Sequence, residues 1–329
     1  MPALTLDAAA DRLAALLMGT STLLGDPDPS SANLEFEDTL EMRPLHRSAP
    51  PADVWACDGG QAVVADARCV ALVVTRAARV RFQDGACVLE DEGELRGHLL
   101  GGSEGKAAMA GLGLGIEATT TVDLNLLRDH GEWKAVAACV EEADPGAVVL
   151  VDGDLVPDWR IPSSFVGRLL DRAAERGVLI AGVTKRSSLS RGGAPLLGQL
   201  ESEGQETYGK RGMWFTKVAH TRPDLDAEGP GLQVVAARLD PDAPFAFRID
   251  LPAGIDAEEA LAKIAALCDD AAFPGYPYPL TVADRLAACP GWLKQEVRMQ
   301  LDDHFDRAGV PLDVRERAFT DRHDLMERF

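Results

Sequence analysis

The sequence predicts an α/β fold built on one mixed sheet, and three observations carry that expectation. The first is a pair of apolar runs that each stop at aspartate and glycine: Val54-Trp55-Ala56-Cys57 before Asp58-Gly59-Gly60, and Val148-Val149-Leu150-Val151 before Asp152-Gly153-Asp154-Leu155. Runs of this kind read as core strands, the second being aliphatic enough for burial on both faces. The second is a series of short Val-rich stretches, 62–65, 69–75, 78–82 and 86–90, separated by Gly, Asp and Arg, which reads as an antiparallel meander. The third is a helix near 164–176, capped by Gly177, between the apolar runs 148–151 and 178–183. That is a β-α-β unit, whose strands should be parallel and whose crossover should be right-handed.

The remaining elements follow from spacing. Leu and Ala alternate at helical intervals over 7–18, so one amphipathic helix is expected there. Residues 19–52 are Pro-rich and acidic and read as an arm able to reach a partner, which divides the chain into an N-terminal helix and arm, 1–52, and a main domain, 53–329. The Gly-rich stretch 92–121 contains Gly113-Leu114-Gly115, but no GK[ST] follows and no strand leads into it, so a phosphate loop is not expected. A helix over about 122–143 carries Leu124, Leu127, Val136 and Val140 on one face, with Gly131 weakening its middle. After a loop or short helices at 189–212 come strands at 214–218, 232–239 and 245–251, then helices at 256–271, 281–289 and 292–307. Between the first two of those helices lies Gly275-Tyr276-Pro277-Tyr278-Pro279-Leu280, a rigid aromatic segment that either packs as a corner or stacks on a base.

Composition excludes several classes. With 329 residues, 46% hydrophobic and 26% charged, the chain is an ordinary globular one. No run approaches the ~18 apolar residues of a membrane span, and the start is acidic and amphipathic, so a cytoplasmic protein is expected. Six cysteines, at 57, 69, 87, 139, 268 and 289, form no CxxC pair and are expected as buried reduced thiols rather than zinc ligands or disulfides. A net charge of −20 is wrong for a protein that coats nucleic acid indiscriminately. One window differs: from 183 to 222, Lys185, Arg186, Arg191, Lys210, Arg211, Lys217 and Arg222 face only Glu201, Glu203 and Glu206, a net +4 that either receives an anionic substrate or is a solvated loop.

The chemistry expected of these pieces centres on the two Asp-Gly strand ends. If the two strands are neighbours, Asp58 and Asp152 emerge side by side, and close carboxylates repel unless a cation sits between them. A divalent metal resolves this. Glu132 lies on the row 124, 128, 132, 136, 140, so it can point at the sheet as a further ligand or pair with Arg128 on the surface; Glu141 and Glu142 compete for the role at the helix end. Lys185 follows the 178–183 strand at the carboxyl edge, where open α/β sheets bind ligands. His323, bracketed by Asp321 and Asp324, is a candidate to complete a metal shell. Acids on strands and a helix beside a cationic loop suit metal-assisted phosphodiester cleavage. The order of acidic strand, antiparallel meander, acid-bearing helix and β-α-β fits a ribonuclease H-like mixed-sheet core with flanking helices and an N-terminal arm. Actin-like or sugar-kinase phosphotransferases also place Asp-Gly at strand ends, and the same aspartates serve as turn residues in a non-catalytic scaffold.

The succession Ala56-Cys57-Asp58-Gly59-Gly60, Val149-Leu150-Val151-Asp152-Gly153-Asp154-Leu155, Ile180-Ala181-Gly182-Val183-Thr184-Lys185-Arg186-Ser187, Gly275-Tyr276-Pro277-Tyr278-Pro279-Leu280 with Ala283-Asp284-Arg285, and Asp321-Arg322-His323 resembles the NurA nucleases from about residue 54 to the C-terminus. The resemblance implies a Mn²⁺-dependent 5′-to-3′ exonuclease and single-strand endonuclease of DNA-end resection, with Mg²⁺ as the alternative ion. It further implies a nucleoid-associated homodimer that works with the hexameric HerA ATPase. Asp58, Asp152 and His323 would be metal ligands, Glu132 the helical glutamate and Lys185 a phosphate contact, with Arg186, Arg191, Lys210, Arg211 and Tyr278 completing a DNA-binding surface. The first motif reads Asp-Gly-Gly where Asp-Gly-Ser is often expected.

Overall fold

The computed structural model describes residues 5–19, 21–27, 34–112, 122–156, 159–221 and 231–320. The N-terminal part holds α1 (Leu6–Leu17) and the short strands β1 (Leu24–Gly25), β2 (Leu34–Phe36) and β3 (Arg43–Pro44). A meander follows: β4 (Asp53–Asp66), β5 (Ala71–Gln83), β6 (Ala86–Asp91) and β7 (Arg96–Leu100). Then come α2 (Gly102–Leu112), α3 (Leu124–Glu142), β8 (Val148–Asp152), α4 (Ser163–Arg176) and β9 (Leu179–Thr184). The last third contains β10 (Ser190–Arg191), β11 (Ala194–Pro195), α5 (Leu196–Tyr208), β12 (Trp214–Thr221), β13 (Leu232–Arg238), β14 (Phe247–Pro252), α6 (Ala257–Ala265), α7 (Tyr278–Ala287), α8 (Gly291–Arg307) and α9 (Leu312–Phe319).

The main sheet runs β2-β12-β13-β14-β9-β8-β4-β5-β6, with β3 added beside β12 and β7 beside β5. Its centre, β4-β8-β9, is parallel and the flanks are antiparallel, so the mixed sheet and the β-α-β unit are as expected. Gly177 ends α4 in the left-handed conformation, φ 69°, that spares a glycine the Cβ clash.

Three expectations need correcting. The meander strands are longer than the turn signals suggested: 54–57 and 62–65 are one strand, as are 69–75 and 78–82 from Ala71 onward, because Gly59 and Gly60 continue the ladder opposite Ala77 and Arg76. Asp58 therefore sits inside a strand, while Asp152 is the last residue of its own. The expected arm lies partly along the chain's own sheet, where β2 and β3 pair with β12. All six cysteines are free, but only Cys57, Cys139 and Cys268 are buried; Cys69 lies in the β4–β5 turn and Cys87 on the outer strand β6, and both are exposed. No helix among the described residues is long and apolar enough to cross a membrane.

Strand alternation divides the core. Val54, Ala56, Val148, Leu150, Ala181 and Val183 pack against Leu261 and Ile264 of α6 and Leu280 and Ala283 of α7. Their neighbours Trp55, Cys57, Val149, Val151 and Ile180 face the other way, onto Leu126 and Val136 of α3 and Leu169 and Leu170 of α4. Burying each large aliphatic side chain contributes roughly 1.5–3 kcal/mol, so register is strongly enforced: a one-residue slip would exchange the two faces.

A charged network ties the far side of the sheet to the chain leaving β8. Arg248 pairs with Asp250 through two hydrogen bonds of 2.8 and 2.9 Å, both side chains being essentially inaccessible, and also reaches Asp26 at 3.4 Å and Asp154 at 3.7 Å. Asp250 in turn accepts a hydrogen bond from the Leu155 backbone N–H at 3.2 Å. Removing one member of a buried pair strands the other without compensation. Arg248→Met is therefore expected to lower unfolding free energy by about 3–5 kcal/mol in urea titration. A loss below about 1 kcal/mol, the range of exposed pairs, would show that the network is not structural.

Candidate metal centre

The position of each functional side chain follows from strand parity. The parallel pairing of β4 and β8 runs from Val54 with Val148 to Cys57 with Val151, so the next step sets Asp58 beside Asp152. Asp58 shares the face of Val54 and Ala56, and Asp152 that of Val148 and Leu150, which is the face covered by α6 and α7. Lys185 lies two residues past Val183 of the same face. The fourth group comes from above. In α7, Leu280, Ala283 and Ala287 are buried, and Asp284 lies next to them on the helix's exposed flank.

Two glycines make this meeting possible. A Cβ on Gly60 would overlap the carbonyl of Ala287, so the end of α7 can rest on β4 only because residue 60 has no side chain. Arg76, the ladder partner of Gly60, donates from Nε to the Ala287 carbonyl at 3.1 Å and from Nη2 to the Ala288 carbonyl, satisfying carbonyls left open at the helix end. Gly59 points to the opposite face, where a Cβ would stand 2.8 Å from Glu132 Oε2. The Asp-Gly-Gly sequence thus reads as one carboxylate and two clearances.

One ligand oxygen from each of Asp58, Asp152 and Asp284 lies within 4.8 Å of the others. Lys185 Nζ bridges two of them, at 2.7 Å from Asp152 Oδ2 and 2.8 Å from Asp284 Oδ1, and stands 5.1 Å from the centre of the Tyr276 ring. Burial and then the charge of Asp152 push the Asp58 carboxyl up to about 7, against the 2.7 Å hydrogen bond it accepts from the Gly59 N–H. Burial alone would lower the Lys185 amine, but the bonds to its two carboxylates outweigh it and raise the amine above its ordinary value. Burial, with the nearby charge of Asp152, also keeps the Tyr276 phenol protonated; its hydroxyl lies by Asp152 without a well-formed hydrogen bond.

Glu132 is close by, yet it is not among the three converging carboxylates. It rises from α3 on the opposite face of the sheet and reaches the site across Gly59. Burial, then the charge of Asp58, holds it well above the usual carboxylate range, with Arg128 opposing. α3 runs unbroken through Gly131. Glu141 and Glu142 are engaged elsewhere: Glu141 accepts from Arg172 at 2.8 and 3.0 Å, and Glu142 from Arg79 at 2.8 Å.

The other expected site residues are spread out. Arg186 and Lys210 are exposed, Arg191 pairs with Glu203, and Arg211 pairs with Asp242 at 3.0 Å. Tyr278 is half-exposed with its ring edge-on to Phe82, centroids 5.7 Å apart, as a packing corner would have it. His323 lies outside the described residues, as do Arg222 and Gly113-Leu114-Gly115. The residues that gained no role from sequence are Asp284 and Tyr276. A signal existed for Asp284: it is an acid set directly beside Ala283 in the apolar helix that follows the aromatic segment.

Whether this cluster fits a metal can be judged from its donors. Three hard oxygen ligands are near enough to share one ion, and the raised pKa of Asp58, set by burial and then by the charge of Asp152, is one that a cation would lower. They fit a divalent ion such as Mn²⁺ or Mg²⁺, which Asp58, Asp152 and Asp284 would hold.

No family model matches the sequence, and no curated protein does. Among solved structures, the chain is similar to the NurA nuclease from Sulfolobus solfataricus, with 12% identity over 92% of this chain and 94% of that one and a TM-score of 0.60. It is also matched to a second NurA structure, at 9% identity over 74% of this chain and 86% of that one with a TM-score of 0.44. A third match is the catalytic domain of human endonuclease V, at 17% identity over 92% and 99% of the two chains with a TM-score of 0.40. The first likeness establishes a NurA-like, ribonuclease H-like fold; the other two are too distant to add to it.

Because the folded pKa of Asp58, about 7, lies above its ordinary 3.8, the folded state binds this proton more tightly than the unfolded chain. Its contribution to stability is complete below the ordinary value and is lost as pH rises through about 7. In chelator, the melting temperature of the wild type should therefore fall more steeply between pH 5.5 and 8 than that of Asp58→Asn, and Mn²⁺ should remove most of the difference. Parallel melting curves for the two proteins would show that Asp58 is not under this repulsion.

Proposed function

We propose that this chain is a metal-dependent nuclease that hydrolyses DNA phosphodiesters, and the observation that carries the reading is the convergence of Asp58, Asp152 and Asp284 around a bridging lysine. A divalent ion bound by such carboxylates polarises a phosphoryl oxygen and lowers the pKa of a water. The chain's own groups supply the rest. Lys185, held above its ordinary pKa, presents a full positive charge at the carboxyl edge, where it pairs with a non-bridging phosphate oxygen. Burial holds the Glu132 carboxyl well above the usual carboxylate range, so it is the acid of the site able to carry a proton. Glu132, entering from the other sheet face, adds a fourth carboxylate to the acidic wall. Tyr276 contributes a neutral hydroxyl donor beside Asp152.

The finer reading is that of the NurA nucleases: Mn²⁺ in preference to Mg²⁺, 5′-to-3′ exonuclease and single-strand endonuclease action in DNA-end resection, a homodimer, and a hexameric HerA-type ATPase as partner. What supports it is the NurA-like fold together with the charge of the chain. At −20, the protein repels DNA at long range, and a translocase that threads the strand into the site would overcome that repulsion. His323 as a further ligand, and Arg186, Arg191, Lys210, Arg211 and Tyr278 as strand contacts, belong to this proposal.

The test is incubation of the purified protein with end-labelled single-stranded DNA in Mn²⁺, Mg²⁺ or chelator. Cleavage is expected with a divalent ion and none in chelator, and Asp152→Asn and Asp284→Asn should each reduce the rate by at least about a hundredfold. Activity that persists in chelator, or in both variants, would dismiss the site. The partner is tested by a salt series with and without the ATPase: activity alone should fall steeply with salt, and the ATPase should flatten that dependence. Identical curves would remove the ATPase from the account.

A further inference from the structure

A line of aromatic rings leads from the carboxylate cluster to solvent. The Lys185 amine stands 5.1 Å from the Tyr276 ring, Tyr276 is 5.6 Å from Phe247, and Phe247 is 5.3 Å from Phe245, centre to centre. Tyr276 and Phe247 are buried, whereas Phe245 is 53% exposed. The strand register explains the sequence. Arg248 of β14 pairs with Thr184 of β9, so Phe247 falls beside Lys185, and the ring of Phe245, from the bend just before β14, packs edge-on to Phe247. The inner pair is clamped: a Cβ on Gly275 would stand 2.5 Å from the Ala243 Cβ and 3.4 Å from Phe247 Cε2, so the 275–276 turn is pressed against the segment that carries Phe245. Phe273, 58% exposed, comes from that same turn. An exposed ring is thus held on a rigid base a few nucleotides' reach from the lysine.

We propose that Phe245 stacks on an unpaired base of the strand whose phosphate lies at Lys185, and that this contact gives the site its preference for single-stranded over duplex DNA. The inference rests on the nuclease reading above. Every base offers a π face, so stacking holds a strand without selecting its sequence, while a base inside a duplex has both faces occupied by its neighbours. The ring lies in the bend before β14 and is half-exposed, which leaves room for a base against it.

The test compares wild type, Phe245→Ala and Phe245→Trp on single-stranded and duplex oligonucleotides, with KM and kcat measured separately and binding followed by anisotropy of the labelled strand. Phe245→Ala should raise KM and weaken single-strand binding by roughly 5- to 100-fold, with kcat little changed. Phe245→Trp should retain tight binding, and the duplex substrate should respond to neither substitution. Moving one abasic position along the strand should find a register at which the wild type loses affinity and Phe245→Ala does not, and this scan on the wild type stands even if the alanine variant folds poorly. Unchanged KM in Phe245→Ala, an equal loss on duplex, or no sensitive abasic register would overturn the proposal while leaving the nuclease intact. A wild type that neither binds nor cuts any strand would instead overturn the nuclease reading, and the stacking role with it.

Discussion

The parallel pairing of β4 with β8 puts two carboxylates next to each other on one sheet face, and their repulsion must be met by positive charge. Lys185, from the next parallel strand, meets part of it with ion pairs to Asp152 and Asp284. One amine facing three carboxylates leaves the cluster negative, and burial together with the charge of Asp152 pushes the Asp58 carboxyl up to about 7. A bound divalent ion would relieve the same imbalance. Stability and binding here draw on one electrostatic fact.

The rest of the fold serves to hold these groups at that spacing. The core packs tightly on both faces of the central strands, so the register that aligns Asp58 with Asp152 cannot slip without turning apolar residues outward. The absent side chain of Gly60 lets α7 descend onto β4, and Arg76 secures the helix end there, which brings Asp284 into range. The Arg248–Asp250 pair does comparable work for the chain that leaves Asp152, by fixing Leu155. Glu132 approaches from the opposite face, which is why it is near Asp58 yet stands outside the trio.

Positive charge near the site is spent mostly within the protein. Lys185, Arg191 and Arg211 each have acidic partners, so the basic window of the sequence does not translate into an open cationic groove. In a chain of net charge −20, Lys185 alone gives little attraction for an anionic substrate, and a bound ion, aromatic stacking or a partner that delivers the strand would supply the rest.

Sequence alone determined the mixed α/β sheet, the β-α-β unit and the aspartate that follows each apolar run, because these depend on short-range apolar patterning and strand alternation, which a linear reading captures; that the strands of Asp58 and Asp152 are neighbours it held only as a condition, which the parallel pairing of β4 and β8 meets. It also brought Lys185 to the right edge, since a residue following a parallel strand can only emerge there. It misjudged the meander, where glycines that look like turns continue a ladder, and it held Asp284 and Tyr276 only as parts of longer motifs, without a place at the carboxylate cluster. Those two, with the face from which Glu132 enters, were decided only by the tertiary structure. The seating of α7 on β4 depends on contacts between residues more than two hundred positions apart, Gly60 and Ala287, and no local pattern in a single chain records which surfaces will meet.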